Sequence, residues 1–403
     1  MQHPVLAFVA AGLLVTLGAL PSQAKTAGDS SAATAPAANL LEAQATLGMG
    51  LLQRMAGEDS SLRTLVIAPA SLASALAFLD LGADAAMDRA IVKTLGFAAG
   101  DGPAAMQSLR AAAKDLAGTP PGRGPLAFGN AIFVDPAGGI EPAAIAKLEA
   151  AGVTARTAAL GEAAGIAAVN DWVSGQTAGL IPTILSDPIP NAALVALNAL
   201  HFKDKWYQPF PARLTSPQPF HLVGGKTADV AMMRLSADLA SRQDDRFVAI
   251  ALPYETEGYS LVVVTTKAEP AAVADFTPVA AWLTGKDFQK AAVELSLPKF
   301  GANATNRLLP HLDRLGLAEG YSPTAFNGLS AKPLPITDVV QKTVIKVDEE
   351  GTEAAAGTAV TMSRGMRVDT LGVVVDKPFI FALRDDKRGL ILLAGYVGDP
   401  AGQ

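Results

Sequence analysis

Apolar positions in the first half of the chain recur mostly at helical spacing. The segment 40–56 carries them on one face and predicts a first helix. The segment 64–83 begins as an apolar strand and breaks at Pro69. It continues as an alanine- and leucine-rich stretch, which predicts a buried helix with Ser71 near its start. The segment 169–181 predicts a short amphipathic helix that a glycine ends.

The second half of the chain is richer in short apolar runs of the strand type. One such run lies early, at 128–135, and the others fall at 193–202, 247–254, 259–266, 293–300, 343–348, 377–386 and 389–397. The last two flank a polar turn sequence, DDKRG at 385–389, and predict a β-hairpin. Helices come first and strands later, without strict alternation, repeats or a long linker. This order predicts one domain of the α+β class.

The N-terminal residues have the pattern of a secretory signal peptide. An apolar run covers 5–20, and small residues follow it up to Ala24. We therefore expect a signal peptide over 1–24 and a protein that is secreted to the extracellular space or the periplasm. A membrane anchor or a buried helix is the alternative, but the run is short for a membrane span. The small, polar residues 25–38 predict a flexible segment before a domain over 39–400.

Composition excludes several classes of function. The chain has 403 residues, 50% of them hydrophobic, and a net charge of −6, without a cluster of Lys and Arg that would bind nucleic acid. No second long apolar run follows the first, so we expect no membrane partner. The absence of cysteine excludes disulfides and thiol catalysis, and the four histidines lack the spacing typical of zinc ligands. We expect neither a metal nor a cofactor.

Three short motifs resemble catalytic or cofactor sites but lack the structural context that such sites need. Gly100–Ala105 and Gly122–Ala127 resemble dinucleotide-binding loops, but neither follows a convincing strand, and a proline comes directly after the second glycine of each. Ser296–Lys299 fits the S-x-x-K pattern, but Pro298 interrupts a strand where that motif needs a helix. The sequence therefore predicts a protein that is not an enzyme and that acts by binding or inhibition.

The stretch DEEGTEAAAGTAVTMSRGMRVD, at 348–369, is poor in core residues although it lies near the end of an apolar chain. If it forms a strand, one face carries every second residue, namely Thr352, Ala354, Ala356, Thr358 and Val360. These residues are small or β-branched and uncharged, whereas Glu353 lies on the other face. The stretch could therefore enter a sheet without burying a charge. Taken alone, it would equally suit a flexible linker.

Together these features resemble the serpins, a family of serine protease inhibitors. Residues 347–360 are similar to the hinge of the reactive-centre loop in inhibitory serpins, and other signature segments of the family follow in order. These are TLVIAPASLASALAFLDLGA at 64–83, FGNAIFVD at 128–135, VNDWVSGQTAGLI at 169–181, LNALHFKDKWYQPF at 197–210, LPY at 252–254 and KPFIFALRDDKRGLILLAGYVGDP at 377–400. The resemblance implies about nine helices, three β-sheets and an exposed reactive-centre loop over about 349–375.

The resemblance also implies a suicide-substrate inhibitor that acts as a monomer without a cofactor. A serine protease would cut the loop, form a covalent acyl complex and be trapped when the cut loop inserts into the central sheet. The hinge that begins insertion corresponds to Glu350, Gly351, Thr352, Glu353, Ala354, Ala355 and Ala356. The alternatives are a non-inhibitory serpin that acts as a carrier or chaperone, and an inhibitor of a cysteine protease.

The position of the reactive bond is harder to assign, because this loop is longer than is usual in the family. Counting from Glu349 places either Arg364 or Gly365 before the cut, and counting back from Pro378 reaches a later residue. Glycine gives a protease pocket nothing to fill, so we predict the bond Arg364–Gly365 and a trypsin-like target. The alternatives are Arg367, and Met362 or Met366, which would suit an elastase- or chymotrypsin-like protease.

The shutter, the region below the strands that separate in this family, usually contains a serine, an asparagine and a histidine. Ser71 and Asn198 correspond to the first two. The histidine position falls on Gln341, and Ala68 replaces a second serine of the family. Glutamine donates and accepts hydrogen bonds but does not titrate. We therefore predict that opening of the sheet lacks a histidine-linked pH dependence.

Overall fold

The computed structural model describes residues 40–58, 64–98, 100–117, 123–268, 275–352 and 370–402. Within these residues the chain forms seven α-helices, together with five 3₁₀ segments. The helices are α1 Leu40–Glu58, α2 Pro69–Leu79, α3 Ala85–Thr94, α4 Gly102–Ala117, α5 Pro142–Ala151, α6 Ala163–Gln176 and α7 Leu309–Leu315. None of the described helices is both long and apolar enough to cross a membrane.

The strands of the described residues form two sheets, one of seven and one of nine strands. The strands of the first half of the chain are β1 Thr64–Ile67, β2 Leu126–Val134, β3 Thr154–Thr157, β4 Leu194–Phe202 and β5 Asp204–Lys205. Those that follow are β6 Ser216–His221, β7 Thr227–Gln243, β8 Phe247–Pro253, β9 Tyr259–Thr266, β10 Gln289–Pro298, β11 Phe300–Arg307, β12 Ile336–Val347, β13 Gly351–Thr352, β14 Leu371–Val374, β15 Phe379–Asp385 and β16 Leu390–Val397.

The seven-stranded sheet has two long parallel strands at its centre. Its order is β3-β2-β4-β12-β13-β5, and β11 pairs with the other edge of β12. Strands β4 and β12 bond to each other directly, with Asn198 opposite Gln341, and we call the boundary between them the seam. Near Val347, beyond the end of this pairing, β13 lies between β12 and β5. The sheet is therefore closed along the seam and holds a short extra strand at one end.

The nine-stranded sheet has the order β1-β16-β15-β9-β8-β7-β10-β14, with β6 paired to β7. Strand β7 has 17 residues and pairs with β6 at one end, β8 at the other and β10 in between. The family resemblance predicts three sheets, whereas the described strands form two, and the long strand β7 connects β6, β8 and β10 within one of them. The α+β class and the predicted hairpin are confirmed. Strands β15 and β16 pair antiparallel, and Gly389 adopts a φ of 66° in the turn between them.

The apolar core lies on both faces of the seven-stranded sheet. Helix α2 packs against β2, β4 and β16 and is buried along its whole length, as expected for a helix that is apolar on all sides. A second apolar cluster joins α6 to the opposite face, where Leu197 of β4 and Val340 of β12 both belong to it. Helix α6 and its cluster therefore cover the seam from one side, and α2 lies on the other.

One local prediction differs from the structure in its bounds, and two of the short motifs lie in the contexts that the sequence predicts. The predicted helix over 169–181 corresponds to α6, which begins earlier, at Ala163, and ends at Gln176. Its early turns are rich in alanine and glycine and carry few large apolar residues, so periodicity did not locate them. Ser296 and Pro298 lie in β10, as the strand interpretation predicts. Gly102 begins α4, the next helix after α3, and the described residues between the two helices form no strand.

Candidate functional site

The start of the loop is already part of the seven-stranded sheet. Gly351 and Thr352 form β13, in which Thr352 pairs antiparallel with Val347 on one side and with Asp204 on the other. The side chain of Asp348 holds the turn before β13, because its carboxylate accepts the Glu350 N–H at 3.0 Å. The first residues of the predicted hinge are therefore held in strand geometry.

Thr352, the second residue of β13, is fully buried. Its hydroxyl lies 2.6 Å from the hydroxyl of Tyr254, the residue directly after β8. Burial raises the pKa of the Tyr254 hydroxyl well above its ordinary value, so this phenol stays neutral and available for hydrogen bonding. The Thr352 side chain therefore faces the interior, as the alternation along the loop predicts.

Trp206 holds the backbone just before β13. Its ring stacks on Tyr254 with 4.5 Å between ring centroids. Its indole Nε1–H donates to the Asp348 carbonyl at 2.9 Å, and its backbone N–H donates to the Glu350 carbonyl at 2.9 Å. A buried indole N–H normally needs an acceptor, and here the turn before the loop supplies it. Trp206 and Tyr254 thus form an aromatic platform that fixes the base of the loop.

Glu349 ties the same turn to the nine-stranded sheet. Its carboxylate lies 2.6 Å from the Lys299 ammonium and accepts the Thr215 hydroxyl at 2.8 Å. Its carbonyl accepts the Phe210 N–H at 2.9 Å. Burial acts to raise the pKa of Glu349, but the hydrogen bonds from Lys299 and Thr215 outweigh it and hold that pKa below the usual value. Glu349 is therefore an ionised anchor at the foot of the loop.

Position 351 has no room for a side chain and therefore requires glycine. A Cβ at this position would lie 2.7 Å from the Cα of Lys205 and closer still to the carbonyl oxygen of Asp204. Real Cβ atoms essentially never come so close to backbone atoms. Glycine therefore lets β13 approach β5 closely enough to pair with it.

The shutter residues lie beneath the seam, and the structure brings them together. Asn198 Nδ2 donates to Asn130 Oδ1 at 2.8 Å, and the Ser71 hydroxyl donates to the same oxygen at 3.0 Å. All three side chains are buried. Sequence reasoning identified Ser71 and Asn198 but missed Asn130, the acceptor that joins them. A polar residue in the middle of the apolar run 128–135 was the signal that could have found it.

Gln341 joins the same region from β12. Its Oε1 accepts the Ala68 N–H at 2.6 Å, and its Nε2 donates to the Ala68 carbonyl at 3.0 Å. A longer contact of 3.5 Å links Nε2 to Asn198 Oδ1 across the seam. Gln341 is fully buried, and both ends of its amide are satisfied.

The other predicted site residues lie outside the described residues and stay predictions. They are the later hinge residues Glu353, Ala354, Ala355 and Ala356, and the reactive-bond residues Met362, Arg364, Gly365, Met366 and Arg367. Searched over the described ranges, the chain shows no group of three or more His, Asp or Glu side chains that could hold a metal. The described part of the site is thus a loop base, a seam and a polar group beneath it.

Comparisons with known proteins agree with this arrangement. The family model "Serpin (serine protease inhibitor)" matches residues 42–400. Serpin-Z7 of Hordeum vulgare is 31% identical over 387 residues, which cover 89% of this chain and 96% of that protein. The leukocyte elastase inhibitor of Bos taurus is 32% identical over 251 residues, which cover 58% of this chain and 66% of that one. The chain spans 56%, 62% and 66% of the length of three of the curated relatives that it matches.

Solved structures share the fold. Human thyroxine-binding globulin, solved with its ligand bound, superposes with a TM-score of 0.77 at 24% sequence identity, over 90% of this chain and 98% of that one. The likeness at this identity concerns the fold and not the function. Since the family model matches residues 42–400, the chain belongs to the serpin family.

Proposed function

We propose that this serpin inhibits serine proteases as a suicide substrate. A protease attacks the reactive-centre loop, and its serine forms an acyl ester with the new carboxyl end of the loop as the peptide bond breaks and frees the amine of the next residue. The loop then inserts between β4 and β12 before water can release the enzyme. The observation that carries the proposal is β13, because Thr352 already pairs with the strands on both sides of it. Insertion would extend a strand that has begun.

The pairing of β13 defines a register for the rest of the loop. Gln341 is six residues before Val347, and Thr358 is six residues after Thr352, so antiparallel extension brings Thr358 opposite Gln341. The pairing with Asp204 independently brings Thr358 opposite Asn198. The two registers agree because Gln341 and Asn198 face each other across the seam. The alternate residues from Thr352 onward would face the buried side, and they are small or β-branched and uncharged.

The energy of insertion supports an irreversible trap. Each main-chain hydrogen bond contributes roughly 0.5–1.5 kcal/mol net, so about a dozen inserted residues give on the order of 10 kcal/mol. Burial of the small side chains adds to this. A single unpaired charge on the buried face would cost several kcal/mol and slow insertion. Slow insertion would let the protease hydrolyse its acyl bond and escape.

For the target we propose a trypsin-like protease that cuts at Arg364–Gly365. An arginine before the cut suits a pocket with a buried acid. Met362 or Met366 would instead suit an elastase-like pocket, and the relationship to the leukocyte elastase inhibitor favours retaining this candidate. A cysteine protease remains the third class of target, because it also passes through an acyl-enzyme.

A non-inhibitory carrier is the second candidate function. The fold likeness to thyroxine-binding globulin favours it, since that protein holds a small ligand. The hinge argues against it, because the face of the loop that would be buried carries no charge.

We further propose that the signal peptide 1–24 directs secretion and that the protein acts as a monomer.

The test is a gel with four proteases. The mature protein is mixed in turn with trypsin, elastase, chymotrypsin and subtilisin, and a complex that survives SDS with any of them supports inhibition. Sequencing of the released C-terminal peptide identifies the bond. The clipped protein should also unfold at a higher temperature than the intact one. Cleavage by all four proteases without complex and without stabilisation would favour the carrier.

A further inference from the structure

Three neighbouring strands of the nine-stranded sheet, β7, β10 and β14, share an exposed face. Ser296 of β10 lies opposite Arg234 of β7 on one side and opposite Val374 of β14 on the other. Two residues along β10, Glu294 lies opposite Ser236 of β7. By alternation these five side chains lie on the same side of the sheet, and the residues between them are buried. We call this set the three-strand face.

The three-strand face is open and carries unpaired charges. Val374 is 54% exposed although it is apolar and lies in an edge strand. Arg234 and Glu294 are exposed as well, and in the described part of the chain neither side chain has a partner. A guanidinium without a partner is available to a carboxylate of another protein. The face therefore offers an apolar contact and two charges to a binding partner.

Both ends of the segment proposed as the reactive-centre loop lie next to this face. One end leads directly into β14, which begins at Leu371. At the other end, Lys299 lies 2.6 Å from the Glu349 carboxylate. Lys299 is three residues beyond Ser296 along the chain, about 10 Å at the rise of a strand. A protein that holds the loop therefore has the three-strand face in front of it.

The length of chain after the proposed cut brings a protease within reach of the face. Five peptide units join Gly365 to Thr370, and they span at most about 18 Å. The alternative bonds change this length by about 11 Å at most. A protease domain of roughly 230 residues has a radius of gyration of about 17 Å. The body of the enzyme is thus as wide as the tether is long, so its surface reaches β14 and the strands beside it.

We propose that the three-strand face is a second contact surface for the target protease, and that it binds the rim of the enzyme beside the residues that follow the cut. The inference rests on the proposed function in one respect, that a protease attacks this loop. Arg234 pairs with a carboxylate on that rim, and Val374 packs against an apolar side chain next to it. Such contacts speed the encounter and separate proteases whose pockets accept the same loop residue.

The rate at which a protease cuts the loop of the intact protein tests this role. Of trypsin, elastase, chymotrypsin and subtilisin, the one that cuts the unmodified protein fastest is used. Arg234→Glu should lower the second-order rate constant of cleavage about tenfold at low ionic strength. The effect should be much smaller at about 1 M salt, where the Debye length is about 3 Å. Val374→Thr keeps the branched shape and should lower the rate about threefold at either ionic strength.

Arg89 provides the matched control. It is also an exposed arginine without a partner in the described part of the chain, but it lies on α3, outside the nine-stranded sheet. Arg89→Glu changes the net charge by the same amount and should leave the rate of cleavage unchanged. Equal rates in Arg234→Glu and Arg89→Glu would overturn the inference. So would gel filtration that shows a dimer of the unmodified protein and a monomer of Arg234→Glu, because a second copy would then cover the face.

Failure of this inference and failure of the proposed function give different results. The rate of cleavage is measured whether or not the protease is trapped afterwards. If no SDS-stable complex forms, inhibition is refuted and the comparison of the two arginine variants still tests the face. If the complex forms and the two variants react at equal rates, the face is refuted and inhibition stands.

Discussion

The hydroxyl of Thr352 lies 2.6 Å from that of Tyr254, inside the protein, and Thr352 directly precedes the segment that we propose as the reactive-centre loop. This contact joins the base of the loop to the end of β8 through a fully buried pair. It means that the loop is attached to the interior of the sheet before any protease arrives. We therefore expect changes at this point to affect both the stability of the intact protein and the trapping of a protease that we propose.

Thr352→Arg should convert the inhibitor into a plain substrate. An arginine cannot be buried beside Tyr254 without a charged partner, so the hinge would leave the sheet and insertion would slow. The measurement is the ratio of SDS-stable complex to cleaved protein with the protease that the unmodified protein traps. Glu353→Arg, on the opposite face of the predicted strand, is the control and should still form the complex. Unchanged stoichiometry in Thr352→Arg would refute the insertion argument.

Gly351→Ala should expel β13 from the sheet. The added Cβ would overlap the backbone of β5 at Asp204 and Lys205, and backbone cannot move aside as a flexible side chain can. We expect a free energy of unfolding lower by about 1–3 kcal/mol and faster cleavage of the loop by a non-target protease. Gly372→Ala in β14, where nothing lies within 4 Å of the new Cβ, is the control and should change neither quantity.

Glu349→Gln should weaken the anchor at the foot of the loop by about 1 kcal/mol at pH 7, measured by urea unfolding. The pKa of Glu349 is lowered in the folded protein, so its contribution is present above the unfolded pKa of about 4.3 and is lost as the pH falls through the folded value. The difference between variant and unmodified protein should therefore shrink in acid. Glu42→Gln removes the exposed bridge to Lys286 and should cost roughly 0–1 kcal/mol at either pH.

Arg388→Ala should destabilise the hairpin of β15 and β16 strongly. Arg388 lies between the Asp385 carboxylate, at 2.6 Å, and the Asp115 carboxylate of α4, at 2.5 Å. Asp385 is almost completely buried, and removal of its partner leaves an uncompensated charge that costs about 3–5 kcal/mol. Lys387→Ala removes an exposed bridge to Glu257 in the same turn and should have little effect on thermal unfolding. Equal effects of the two variants would contradict this account.

Several features of the fold and site followed from local sequence pattern. The run of charged residues before Gly389 predicted the final hairpin, and alternation predicted that Thr352 faces inward. Both predictions rest on residues that are close to each other in the sequence. The helix α6 was located less well because alanine carries a weak periodic signal. Its first turns are fixed by packing on the sheet.

The partners that hold the site could not be predicted in the same way. The partners of Asn130, Trp206 and Tyr254 lie 59 to 142 residues away in the sequence. A local sequence pattern does not predict contacts between such distant residues. The pairing of Gln341 with Ala68 was harder still, because the partner is a backbone peptide rather than a side chain. The sequence showed that Gln341 and Ala68 stand where the family has a histidine and a serine, but only the structure showed that Gln341 bonds to the Ala68 backbone.

The position of the last three strands determines whether the two pieces of a chain cut in the loop stay together. Strands β14, β15 and β16 follow the loop, β15 lies between β9 and β16, and β16 also pairs with β1. The chain has no cysteine, so a cut in the loop leaves two polypeptides without a covalent link. We expect the two polypeptides to stay associated in native buffer and to separate in denaturant. Refolding is then a bimolecular reaction whose rate falls with dilution, so a cut molecule separated by denaturant should reassemble more slowly from a dilute solution than from a concentrated one.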